Sequence, residues 1–151
     1  MKRYLPFILF ACILLFSCDK EEEEKPRNNE SIIPDTYLDR DNVDLGTINI
    51  TDTKVTIKVW DHGQIDGDIV SIYVNGKVVI AEEVLKGPGS PIEVVADMEY
   101  LGYNYVLLYA HNEGSIPPNT CTMEIFDGVG NKSFVLESDL STNGAVNVVV
   151  D

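Results

Sequence analysis

Between residues 53 and 60, in Thr-Lys-Val-Thr-Ile-Lys-Val-Trp, Val55, Ile57 and Val59 alternate with polar neighbours. A period of two suits an extended strand with one buried face and no helix. Similar stretches recur at 69–74, 77–81, 92–96, 105–110, 120–126, 133–136 and 145–150, with a weaker one at 43–50. Turn residues separate them: Gly87-Pro88-Gly89, Gly102, Pro117-Pro118, Gly128 to Asn131, and Asn143-Gly144. Asn75-Gly76 joins two segments directly, and that pair predicts a type I′ hairpin, which needs positive φ at both central positions. Eight or nine short strands, with no helical pattern longer than a turn, predict an all-β domain over 42–151. The expected architecture is an antiparallel immunoglobulin-like sandwich, with a small barrel or jelly roll as the alternative. Trp60 is expected in or near the core, the alternative being a sugar-stacking surface.

The first 41 residues have a different character. Lys2 and Arg3 precede an apolar run from Leu5 to Phe16, the layout of a secretory signal. As a helix, 4–16 would cover only ~20 Å, against a hydrocarbon core of roughly 30 Å. The run is too short for a comfortable span. It ends in Leu15-Phe16-Ser17-Cys18, which resembles the lipobox of bacterial lipoproteins. That resemblance implies that the signal 1–17 is removed and Cys18 carries lipid, several acyl chains making a firm anchor where one would be marginal.

Asp19-Lys20-Glu21-Glu22-Glu23-Glu24 follows, a run of like charges expected to be solvated and extended. Set directly behind Cys18, it is similar to the export signal of Bacteroidota lipoproteins. The likeness implies the outer membrane, facing the exterior; Asp19 favours the alternative, a periplasm-facing anchor. Residues 18–41 read as an acidic tether, with Pro26, Pro34 and little apolar periodicity. Its reach as a flexible coil is ~25–30 Å.

The net charge is -14, and from Ser31 onward nineteen acidic residues face six basic ones. Such a field disfavours nucleic acid and bare anionic membrane, both of which require neutralisation of phosphates. Of the three cysteines, Cys12 leaves with the signal and Cys18 takes lipid, so Cys121 has no partner for an intrachain disulfide. It shares a face with Met123 and Ile125, the pattern of an inert core thiol. Asn49-Ile50-Thr51 and Asn131-Lys132-Ser133 match the glycosylation triplet; in a bacterial chain they are read as turn or strand-edge residues.

The segments 59–68, 71–76, 108–120 and 136–140 together resemble a small sandwich domain of secreted and lipid-anchored Bacteroidota proteins. The resemblance covers roughly 55–150 and implies fold and compartment, without an activity.

Three aspartates fall within eight residues at Asp61, Asp66 and Asp68. If their loop meets the loop 111–119, they could converge with Asn112, and with Glu113, as oxygen ligands for Ca²⁺. The competing reading is a turn in which Asp66-Gly67-Asp68 bonds its own backbone. His62 and His111 are expected at the same end, where a general base or a zinc site would need further ligands. No nucleophile elbow, His-Glu-x-x-His pair or phosphate-binding glycine loop is present. The expected function is a non-catalytic binding or accessory module, anchored through Cys18, with an unknown protein or glycan as partner. The alternatives are a structural subunit of an envelope complex, a Ca²⁺-dependent carbohydrate binder, and a hydrolase.

Overall fold

The computed structural model describes residues 31–151. The signal 1–17, Cys18 and the tether as far as residue 30 lie outside the described residues. Ten strands and no helix make up the described part: β1 Thr36–Tyr37, β2 Arg40–Ile50, β3 Lys54–Asp61, β4 Ile69–Val74, β5 Lys77–Val84, β6 Ile92–Asp97, β7 Gly102–Ala110, β8 Asn119–Phe126, β9 Asn131–Ser138 and β10 Thr142–Val150. Each stretch read as a strand from its period coincides with one of these. The boundary expected at residue 41 falls inside β2, so residues 36, 37, 40 and 41 are sheet rather than tether.

The chain is all-β, in two sheets: a six-stranded one ordered β1-β2-β10-β7-β4-β5 and a four-stranded one ordered β6-β3-β8-β9. The pairing is not antiparallel throughout, because β2 runs parallel to β10 from Thr142↔Asp41 to Val150↔Ile50. The antiparallel partner β7 already occupies one edge of β10. The free edge takes the first long strand, which runs in the same direction.

One core lies between the sheets. Val55, Ile57 and Val59 of β3 and Cys121, Met123 and Ile125 of β8 are buried with Val70, Ile72 and Val74 of β4, Val106 and Leu108 of β7, and Val146 and Val148 of β10. Burial raises the pKa of the Cys121 thiol, which keeps it protonated. Because the odd positions of β3 point inward, Thr56, Lys58 and Trp60 occupy the outer face. Trp60 is therefore half-buried outside the core, contrary to the expectation from its size.

A second, smaller cluster covers the opposite face of the six-stranded sheet. Tyr105, Leu107 and Ala145 are buried there beneath Ile33, Tyr37, Tyr73 and Tyr109. This explains the unbroken run Tyr105-Val106-Leu107-Leu108, since a strand buried on both faces has no polar side to alternate with. The segment 31–37 supplies the cover. The Ser31 amide donates to Tyr103 O, the Tyr37 hydroxyl donates to Gly76 O at 2.9 Å, and the Tyr37 ring meets Tyr73 edge-on at 5.0 Å.

The hairpin at Asn75-Gly76 has positive φ at both residues, 49° and 80°, as the sequence predicts. Asn143-Gly144 differs: both residues lie within β10, and the turn before it is formed by Asp139, whose Oδ1 accepts the Ser141 amide.

At the far end from the loops 62–68 and 111–118, Asp127 ties the β8–β9 turn to the β2–β3 turn. Its Oδ1 accepts the Val129 and Gly130 amides, and its Oδ2 accepts the Thr51 amide and hydroxyl. These bonds, the Gly130 amide first, hold its carboxyl down to about 2. A carboxyl depressed in the folded state stabilises above its unfolded value near 3.8 and loses that contribution as the pH falls towards 2. Asp127→Asn is expected to lower stability by about 1–3 kcal/mol at pH 7. The difference should shrink towards pH 2 in urea titrations; a difference unchanged with pH would refute the role of the charge.

Candidate functional site

The same alternation that builds the core also builds the site. Positions 55, 57 and 59 of β3 face inward, and Asp61 is the next step in that row. Positions 70, 72 and 74 of β4 face inward from the other sheet, and Asp68 stands one step before them. Each facing row thus ends in an aspartate at the mouth of the core. Asp61 is 4% exposed and Asp68 2%.

The intervening loop carries the third carboxylate. Asp66 Oδ2 accepts the amides of Ser115 and Ile116 at 2.7 and 2.6 Å, so it clamps the β7–β8 loop. Gly114 makes the approach possible: its φ is 55°, and a Cβ there would overlap the Asp66 carboxylate. Asn112 fastens the same two loops, with Oδ1 accepting the Ile69 amide at 2.6 Å and Nδ2 donating to Gly67 O at 2.9 Å. The loops 62–68 and 111–118 meet, as the Ca²⁺ reading requires. The Asn112 amide, however, is engaged by the loop backbone.

One ligand oxygen from each of Asp61, Asp66 and Asp68 lies within 4.8 Å of the other two. Among the described residues Glu113 and the histidines stand outside this group. A pocket of about 290 Å³ opens over it, lined also by His62, Gln64, Ile116 and Thr120. Two of the buried oxygens, Asp61 Oδ2 and Asp68 Oδ1, have no hydrogen-bond partner. Burial pushes the Asp68 carboxyl up to about 7, reinforced by the negative charges of Asp66 and Asp61. Asp61 is raised as well, by burial first and by Asp66, against an opposing bond from the Asp66 backbone.

The two histidines do not form a pair. His62 Nδ1 bonds Thr122 Oγ1 at 2.8 Å on the four-stranded sheet, whereas His111 Nε2 bonds Ser71 Oγ at 2.8 Å on the six-stranded one. The Ser71 hydroxyl also accepts the amide of Glu82, which has φ 50° at an irregularity in the β4–β5 register. With 2% exposure, Ser71 is a fastening for that irregularity.

No family model, curated protein or solved structure matches this chain. Its chemistry rests on the geometry alone: three carboxylates, two of them buried, form an all-oxygen, acidic cup at one end of the β scaffold. Such a cup can bind a hard cation or a cationic group and offers no soft donor. Parity in the sequence carried one further signal, because Asp61 and Asp68 each extend an inward-facing row, which marks them as buried and Asp66 as the loop member.

Proposed function

We propose that this chain is a lipoprotein of the Bacteroidota type and a non-catalytic binding module of the bacterial envelope. It is anchored through lipid on Cys18, carries an immunoglobulin-like sandwich on an acidic leash, and offers the cup-bearing loop end to a protein or glycan. The observation that carries this reading is the position of the chain's entry. Ser31 bonds Tyr103 at the start of β7, whereas the cup lies beyond the other end of that strand, which leads to the loop 111–118. Nine residues of strand span ~25–30 Å. A chain anchored at the N-terminus would therefore enter the domain at the end remote from the cup, which leaves the cup free for a partner on whichever side of the membrane the chain is displayed.

A second reading, docking on a larger envelope complex, is favoured by the outer face of the four-stranded sheet. Val95, Phe126 and Val135 are 59%, 42% and 43% exposed there, on the face that also carries Trp60.

Detergent-phase partition of the native protein, with protease treatment of intact cells, tests the anchored reading. The wild-type chain should enter the detergent phase, Cys18→Ser should remain aqueous, and protease should remove the domain from whole cells. A wild-type chain recovered in the aqueous phase overturns the anchor, and a protease-resistant anchored chain overturns the outward orientation.

A further inference from the structure

We propose that the cup of Asp61, Asp66 and Asp68 binds one hard divalent cation of the Ca²⁺ type, which joins the β3–β4 loop to the β7–β8 loop. This deepens the reading of the loop end as the binding face and rests on that reading for its purpose. The binding itself stands on separate geometry.

An acidic cluster alone would be weak ground, because exposed carboxylates gather without ions. Here Asp61 and Asp68 are 4% and 2% exposed, line the pocket, and leave Asp61 Oδ2 and Asp68 Oδ1 unpartnered. Buried polar atoms are nearly always hydrogen-bonded, and buried charges are nearly always paired or bound to metal. Two buried carboxylates that line one pocket, each with an oxygen left unpartnered, therefore call for a cation.

The donor set defines its type. All three donors are carboxylate oxygens, the ligands of hard ions. Their mutual separation, within 4.8 Å, is admitted by two Ca²⁺–O bonds on opposite sides of one ion, about 4.6–5.2 Å. Mg²⁺ demands near-ideal octahedral geometry and dehydrates reluctantly, so it is seldom held by protein carboxylates alone. Six to eight ligands complete a Ca²⁺ shell, so about three to five positions remain for water or for oxygens of a partner. Asp66 transmits the coupling, since Oδ2 holds the Ser115 and Ile116 amides while the carboxylate reaches the cluster.

The test is a thermal melt of the purified full chain in detergent, with chelator or with about 10 mM Ca²⁺, roughly 10–100 times the dissociation constants typical of extracellular Ca²⁺ modules. Ligand bound only by the folded state should raise the midpoint by about 5–10 °C. Calorimetric titration should give one ion per chain. Asp68→Asn keeps the shape and the acidic tether, so it should melt cooperatively in chelator and lose the Ca²⁺ shift; Asp61→Asn serves as the second variant. No shift in the wild-type chain, or a full shift retained by both variants, overturns the proposal. A chain that binds Ca²⁺ yet stays out of the detergent phase would refute the anchor alone, and an anchored chain without the shift would refute the cation alone.

Discussion

Gly144→Ala is expected to destabilise the domain by about 3 kcal/mol or more. Gly144 lies in β10, and a Cβ at this position would come closer than 3.0 Å to the carbonyl oxygen of Glu137 in β9. β9 belongs to the four-stranded sheet and β10 to the six-stranded one, so the glycine marks the place where the two sheets approach at their margin. Backbone cannot rotate out of the way as a flexible side chain can. The added methyl must therefore part the sheets or bend β10 out of its ladder with β2 and β7. Urea unfolding measures the loss. A change below about 1 kcal/mol would show that the margin gives way easily and that the closeness is not a constraint.

A chain shortened to begin at Arg40 is expected to lose about 2–4 kcal/mol, although only residues outside the central core are removed. Ile33 and Tyr37 cover Tyr105, Leu107 and Ala145, and Tyr37 supplies the bond to Gly76 O and the edge contact with Tyr73. Their loss uncovers an apolar face of β7 and β10 and leaves Asn42 Nδ2 without Pro34 O. Arg40, stacked 3.9 Å over Tyr109 and donating to Ala110 O and Asp139 O, would become the first residue. Denaturation of the shortened and full chains, with a hydrophobic dye as a second probe, decides the matter. Equal stability and no added dye binding would mean that 31–39 is only an extension of the tether.

The strands were legible because one face of most of them meets water, and alternation records that difference in every second residue. Where a strand has no wet face, or a segment has no partner of its own, the record fails. Ile33 and Tyr37 lie in a proline-containing stretch without period, and only the surface they cover identifies their role. Trp60 follows from parity rather than from size: three valine and isoleucine positions fix the inner face and exclude it. Asn143-Gly144 carries the composition of a turn, yet the glycine answers to a neighbouring carbonyl, a tertiary fact invisible along the chain. The site was half legible. The aspartate spacing named Asp61, Asp66 and Asp68, but the commitment of Asn112 to Ile69 and Gly67, and the separate fastenings of the two histidines, depend on loop geometry.

If the loop end keeps buried like charges together for a ligand, it does so against the stability of the fold. A carboxyl raised in the folded state binds its proton more tightly there than in the unfolded chain, so stability falls as the pH rises from about 4 through the folded value of about 7. Above pH 7 the full penalty stands. The direct measurement is the unfolding free energy of wild-type protein and Asp68→Asn at pH 8 in chelator. Asn at this position should raise stability by about 1–3 kcal/mol, by removing one of the crowded charges while keeping the shape. A variant equal to or less stable than the wild type would contradict the claim and make Asp68 an ordinary structural residue.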